Sequence, residues 1–191
     1  VNNLETFGMY TTVLGQFNFG STKQNNGGLG DTSLSQPSGL TFDSSGNLWV
    51  ADSGNNRILK YPEANLATGG AATVALGQSD FVSNSKGTTA TTLYNATSID
   101  FDSSGNLWVA DDKNNRILKF PEANLSTGGA ATIALGQADL TSDAKGTTAT
   151  TLTNATSVTF DSSGNLWVGD TGNSRVLKFP EANLSTGGAA T

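Results

Sequence analysis

One nine-residue string, Phe-Asp-Ser-Ser-Gly-Asn-Leu-Trp-Val, occurs three times in the chain, at residues 42–50, 101–109 and 160–168. Each copy begins 59 residues after the one before it, and the three tryptophans of the chain lie on the same spacing. A fixed period of this kind indicates a repeat architecture, in which each repeat is one supersecondary unit that packs on its neighbours. The repeat therefore constrains the fold more strongly than any other feature.

Turn-forming residues divide each repeat into four short apolar segments. In the second repeat the first segment, Ser98–Asp102, alternates in polarity and leads into a Ser-Ser-Gly-Asn turn. The second segment, Leu-Trp-Val-Ala, is continuous, which indicates burial on both faces. The third ends at a proline, which cannot donate a ladder hydrogen bond, and the fourth ends at Gly-Gln. Four hairpin-linked strands per repeat predict an all-β fold, a β-propeller with three four-stranded blades per chain; a sandwich or a solenoid is the alternative.

The run from Pro37 to Tyr61 resembles an NHL repeat, the unit of a family of mostly six-bladed propellers, and the other two copies are similar to it. These two copies depart at their start, where Asn-Ala-Thr replaces the usual Pro-x-Gly, and Gly169 stands in place of alanine in the third. The resemblance implies the fold. It implies no single activity, because the fold hosts both binding modules and enzymes.

The order of the segments predicts where each blade lies and how a ring closes. We expect blades at 36–78, 95–137 and 154–180, the last with three strands, and long inter-blade loops at 17–35, 79–94 and 138–153. In the N-terminal segment 1–16, residues 10–16 match the outermost strand of a blade. Three blades are too few to close a propeller. We therefore predict that residues 10–16 complete the third blade of a partner chain, so that a head-to-tail homodimer with strand exchange forms a six-bladed ring; a fragment of a longer propeller is the alternative.

The charge of the chain argues against a nucleic-acid partner. It has 16 acidic and 10 basic residues, a net charge of −6, and therefore no field that attracts phosphate backbones. No apolar run is long enough to predict a membrane span. The acidic, Thr/Ser/Asn-rich composition without cysteine favours an extracellular or bacterial cell-surface location.

Candidate site residues cluster where two sets of loops reach the same predicted top face. These are the loops between the second and third strands and the long loops between blades, and long loops often carry function. The charged and amide side chains there either form a ring that recognises a protein or glycan ligand, or hold each turn to its neighbour through salt bridges. They are Asp52, Asn56, Arg57, Asp111, Asn115, Arg116, Asp170 and Arg175.

Three polar residues, Gln36, Asn95 and Asn154, begin the innermost strands and are candidates for the mouth of the central channel. Calcium-dependent lactonases with six-bladed propellers use acidic and amide residues near that location, so the resemblance allows an axial ion. These positions lack carboxylates, and the Asp-Ser-Ser-Gly-Asn segments are better explained as hairpin turns than as calcium loops. We expect no metal and no other cofactor.

An enzyme needs chemically different groups in different roles, whereas near-identical blades offer the same residues three times. The chain also has no histidine, the commonest general base. We therefore predict no catalytic residues and a non-catalytic binding or scaffold propeller, built from a recently amplified or engineered NHL-like repeat. The alternative is a hydrolase or lyase of the six-bladed lactonase type with an axial metal. The tryptophans either stack on sugars or fill the inter-blade core, and their place in Leu-Trp-Val-Ala favours the core.

Overall fold

The computed structural model describes residues 11–191, which form three antiparallel sheets. Each sheet is a meander in chain order, and we call the sheets blades 1, 2 and 3. Blade 1 contains β1 (Pro37–Phe42), β2 (Leu48–Asp52), β3 (Arg57–Tyr61) and β4 (Val74–Leu76). Blade 2 contains β5 (Ala96–Phe101), β6 (Leu107–Asp111), β7 (Arg116–Phe120) and β8 (Ile133–Leu135). Blade 3 contains β9 (Ala155–Phe160), β10 (Leu166–Asp170) and β11 (Arg175–Phe179). No helix that could cross a membrane occurs in residues 11–191.

The blades pack face to face, and their facing side chains form the core. Trp49 of blade 1 lies in one buried cluster with Ile99 and Val109 of blade 2, and Trp108 repeats this role between blades 2 and 3. Each indole meets a phenylalanine of the next blade edge-on, with Trp49 and Phe101 ring centres 5.8 Å apart. Trp49 and Trp108 are thus buried inter-blade residues, while β1, β5 and β9 lie side by side along the inner edge. This is the packing of propeller blades.

The Asp-Ser-Ser-Gly-Asn segments form the hairpin turns between the first and second strands of each blade. In blade 1, Asp43 Oδ1 accepts hydrogen bonds from the backbone amides of Ser45 and Asn47, and Asp43 Oδ2 accepts one from the Trp49 indole at 3.0 Å. Gly46 follows with a φ of 79°, a left-handed conformation that glycine adopts without strain. The aspartate thus organises the turn and anchors the buried tryptophan.

The segment predicted to be an outermost strand begins at Tyr10, which lies outside the described residues. Residues 11–16 form no ladder with another described strand, yet they contact blade 1 as β4 contacts blade 2. Val13 N donates to Thr68 Oγ1 at 3.2 Å and Val13 O accepts from Gly69 N at 3.3 Å. Ala75 of β4 makes the same two hydrogen bonds with Thr127 and Gly128, at 3.2 and 3.1 Å. Residues 11–16 therefore contact blade 1 in the same way that the fourth strand of blade 1 contacts blade 2.

The hydroxyl group of Tyr61 is buried at the end of β3. Tyr61 is fully buried, and its Oη finds no hydrogen-bond partner among the described residues. Phe120 and Phe179 occupy the same position in blades 2 and 3 and are equally buried. Burial raises the pKa of the Tyr61 phenol, so this group stays neutral near pH 7. Within residues 11–191, blade 1 thus carries the energetic cost of an unsatisfied hydroxyl at a position where blades 2 and 3 have phenylalanine.

We expect Tyr61→Phe to raise the free energy of unfolding by about 1 kcal/mol, because it removes a desolvated hydroxyl without opening a cavity. Urea denaturation followed by tryptophan fluorescence measures the change. The matched control, Phe120→Tyr, introduces the same unsatisfied group into blade 2 and should lower stability by a similar amount. A loss of stability in Tyr61→Phe would show that the hydroxyl has a partner.

Candidate functional site

Each blade contains a close ion pair between the end of its second strand and the start of its third. The Arg Nε and Asp Oδ2 atoms lie 2.7–2.8 Å apart in all three blades. In blades 1 and 2 both side chains are completely buried, and in blade 3 only the arginine is partly exposed. The pairs are Asp52 with Arg57, Asp111 with Arg116 and Asp170 with Arg175.

The guanidinium groups also bind the backbone of the long inter-blade loops. Arg57 donates to the carbonyl of Ser33 in the preceding loop at 3.0 Å and to that of Phe81 in the following loop at 2.5 Å. Arg116 does the same with Thr92 at 3.2 Å and Leu140 at 2.6 Å. Each of these two arginines therefore ties two loops to one blade, and its charge is satisfied inside the protein rather than presented to a ligand.

The two candidate asparagines, Asn56 and Asn115, connect each blade to the next. Both have left-handed backbones, with φ of 53° and 52°. Asn56 Nδ2 donates to the carbonyl of Asn84 at 2.9 Å, while its Oδ1 accepts from the backbone amide of Asn95, also at 2.9 Å. Asn115 makes the corresponding bonds with Asp143 and Asn154, both at 2.8 Å. The candidate top-face residues are therefore hydrogen-bonded to the loops that surround them.

At the predicted channel mouth, Asn95 and Asn154 are held by an acidic side chain. Their Nδ2 atoms donate to the two carboxylate oxygens of Asp112, at 2.9 and 3.0 Å, and Lys113 Nζ lies 3.1 Å from the same carboxylate. Gln36 shares their left-handed backbone and is exposed. Within residues 11–191 no group of three or more His, Cys, Asp or Glu is placed to hold a metal.

Asp112 is a residue that sequence reasoning missed. The available signal was its difference from the other repeats, since Ser53 and Thr171 stand at the same position in blades 1 and 3. A comparison of the repeats emphasises the residues that they share. Asp112 occurs in one repeat only, and it accepts hydrogen bonds from the asparagines of its own blade and of the next one. It is the acidic residue that distinguishes blade 2 at the top face.

Two grooves open on the opposite face, between consecutive blades. Groove A, between blades 1 and 2, has a volume of about 500 Å³ and includes Trp49, Lys60 and Phe101. Groove B, between blades 2 and 3, has a volume of about 660 Å³ and includes Trp108, Lys119 and Phe160. The same repeat positions therefore build both grooves. Sequence reasoning missed them because each combines residues of two successive repeats.

The sequence model of the NHL repeat matches residues 34–61, 93–120 and 152–179. The chain carries three NHL repeats. Each match runs through the first three strands of a blade and includes its Asp–Arg ion pair. The NHL resemblance inferred from the sequence is thereby confirmed. The comparison with curated proteins found no significant match.

Solved structures with similar folds include two lyases. A streptogramin B lyase is 18% identical, with a TM-score of 0.52, and the match covers 83% of this chain and 42% of the lyase. Virginiamycin B lyase from Staphylococcus aureus is 17% identical, with a TM-score of 0.51, and the match covers 81% of this chain and 40% of the lyase. The NHL-repeat chain thus spans about two fifths of the length of these structures. Similarity at this level shows a propeller-like fold alone.

Proposed function

We propose that the three NHL repeats act as a non-catalytic binding scaffold and that two copies of the chain close one six-bladed ring. The main support for the ring is that residues at inter-blade positions are exposed on the two outer faces of the chain, one on blade 1 and one on blade 3. On blade 1, Leu40 is 64% exposed, whereas Ile99 at the same position of blade 2 is 4% exposed. On blade 3, Val176 is 68% exposed, whereas its counterpart Ile58 is completely buried. Exposed sheet faces of this kind favour association.

The two outer faces are complementary in the same way as the packed faces inside the chain. Inside the chain, Trp49 and Ile58 of blade 1 share a buried cluster with Leu93, Ile99 and Val109 of blade 2. The counterparts of the last three on blade 1 are Leu34, Leu40 and Val50, and they line an apolar groove of about 320 Å³. The counterparts of the first two on blade 3 are Trp167 and Val176, both exposed. A second copy would place these two side chains in that groove.

Residues 11–16 supply the rest of such a seam. Leu14 packs against the blade 1 core, as Leu76 packs between blades 1 and 2. Gln78 Nε2 donates to two carbonyls, those of Asn56 and Ser85, whereas Gln16 Nε2 donates to Lys23 O alone among the described residues. Ser174 of the second copy would stand where Asn56 stands and accept the second hydrogen bond. The segment would then complete blade 3 of that copy.

The scaffold part of the proposal is supported by how the repeated polar groups are used. The Asp–Arg pairs hold loops and turns, and they do so at equivalent positions in every blade. Catalysis requires groups that differ in role, such as an acid and a base at one substrate atom. The similarity to lyases lies in the fold, which by itself does not transfer an activity.

Light scattering coupled to size exclusion tests the ring. The chain has a mass of 19.6 kDa, and we expect a single species of twice that mass that resists dilution, because each ring has two seams. A stable 19.6 kDa monomer would contradict the ring, and a trimer would contradict the blade count.

Turnover assays test the scaffold. The ring is incubated with simple lactones and with a streptogramin B antibiotic, with and without calcium. No conversion above the rate in buffer is expected. Conversion that calcium restores after chelation would instead support the lactonase-type alternative.

A further inference from the structure

Grooves A and B contribute nothing to the ion pairs, the loops or the proposed seam contacts described above. We propose that each groove is a binding site for a short neutral saccharide. We further infer that the seam of the ring creates a third copy of the site per chain. This seam copy rests on the proposed ring, whereas grooves A and B lie within one chain.

The size and floor of the grooves suit a small ligand with one apolar face. Their volumes, about 500 and 660 Å³, lie in the range of small-molecule sites, about 300–1,000 Å³. Phe101 and Phe160 stand edge-on to buried tryptophans and remain partly exposed. A partly exposed aromatic ring provides apolar area against which the C–H face of a pyranose can pack.

The walls of the grooves contain hydroxyl groups and charged side chains whose hydrogen-bond donors and acceptors are unused. No hydrogen bond within residues 11–191 uses the hydroxyl groups of Ser103, Ser104, Ser162 or Ser163, although all four line groove B. Lys119 and Glu181 line the same groove, and neither side chain forms a salt bridge in this part of the chain. Vicinal hydroxyl groups, which both donate and accept, match such a mixed set.

The aspartates of the grooves keep their negative charge but offer few free acceptors, because neighbouring N–H groups already donate to their carboxylates. Asp102 accepts hydrogen bonds from the backbone amides of Ser104 and Asn106, the Asn106 side chain and the Trp108 indole. Partial burial alone would raise the pKa of Asp102, but the bonds from Trp108 and Asn106 lower it. The charged side chains of groove B that form no hydrogen bond within residues 11–191 are then Lys119 and Glu181. One ammonium donor and one carboxylate acceptor suit a ligand whose hydroxyl groups both donate and accept hydrogen bonds.

In a closed ring, the same positions would meet across each seam. One copy supplies the Ser162-Ser163 turn, Trp167 and Lys178, and the other supplies Phe42 and Glu63. Lys178 Nζ already lies 5.9 Å from the centre of the Trp167 ring, as Lys119 lies 5.6 Å from that of Trp108. The ring would therefore bind three saccharides per chain.

The three indole N–H signals of the ¹⁵N-labelled full chain allow each site to be followed separately by NMR. The probes are D-glucose, D-galactose, D-mannose and N-acetyl-D-glucosamine, with glucosamine as a cationic control. We expect at least one neutral sugar to shift the Trp49 and Trp108 signals in a saturable manner. Lys119→Met should weaken binding about tenfold at Trp108 only, because it removes one charge-assisted donor and keeps the alkyl stem.

Lys60 is the corresponding lysine of groove A, and its Nζ lies 3.8 Å from Asp43 Oδ2. Lys60→Met should weaken binding at Trp49 only. Unchanged urea midpoints for both variants would show that the effect is not a loss of folding. If no neutral sugar gives a saturable shift, or if glucosamine binds more tightly than all of them, the saccharide proposal is wrong whatever the mass of the chain. Saturation at Trp49 and Trp108 without Trp167, in a 19.6 kDa species, would keep grooves A and B and overturn the ring.

Discussion

Arg116→Met is expected to lower the free energy of unfolding by about 3–5 kcal/mol, a large effect for a single substitution. The substitution leaves the carboxylate of Asp111 buried without its countercharge, 2.7 Å from where the guanidinium stood. It also removes the donors to carbonyl groups in both flanking loops, including those of Thr92 and Leu140. Chemical denaturation at fixed protein concentration measures the loss.

Two further variants separate the ion pair from general packing. Asp111→Leu combined with Arg116→Met removes both charges and should recover part of the lost stability, because no buried charge remains unpaired. In an isolated chain, Arg175→Met should lower the free energy of unfolding by less than Arg116→Met does, since the Arg175 side chain is 27% exposed. In a closed ring the second copy would cover Arg175. The loss of unfolding free energy caused by Arg175→Met would then approach the loss caused by Arg116→Met. A cost below about 1 kcal/mol for Arg116→Met would show that the pair contributes no more than a surface salt bridge.

Leu40→Asp is expected to weaken the proposed dimer by about four orders of magnitude. The ring contains two identical seams, so one substitution buries two unpaired carboxylates, each at a cost of about 3 kcal/mol. The chain itself should remain folded because Leu40 is 64% exposed within one copy. Sedimentation equilibrium across a range of concentrations measures the dissociation constant.

The matched control for Leu40→Asp is Val82→Asp. Val82 is 69% exposed but lies in the loop between blades 1 and 2, and it does not line the apolar groove of blade 1. This control should leave the mass unchanged. A Leu40→Asp chain that stays dimeric would show that the blade 1 face is not part of the interface.

The fold was predictable because each repeat carries its own turn chemistry. The Asp-Ser-Ser-Gly-Asn segments and the prolines that follow the third strands delimit the strands without reference to other repeats. The continuous Leu-Trp-Val-Ala segment indicated burial on both faces, and Trp49 and Trp108 are indeed buried. The closure of the ring stays a prediction, because it depends on contacts between chains.

The candidate sites were harder to predict, because the role of each residue depends on its burial and on its contacts with the neighbouring repeat. The sequence allows Asp52 and Arg57 to be a ligand-binding pair or a structural one, and their complete burial identifies the structural role. Phe101 lies 52 residues from Trp49 in sequence but meets it edge-on in space. A pattern within one repeat does not show which residues of the next repeat lie opposite.

Asp112 breaks the equivalence of the blades at the predicted channel mouth. In a ring of two copies, the blades labelled 2 stand diametrically opposite each other, so the two Asp112 carboxylates would face one another across the axis. The opening would then have true twofold symmetry imposed on a near-sixfold backbone. A molecule that binds along the axis would then have two bound orientations of equal energy rather than six.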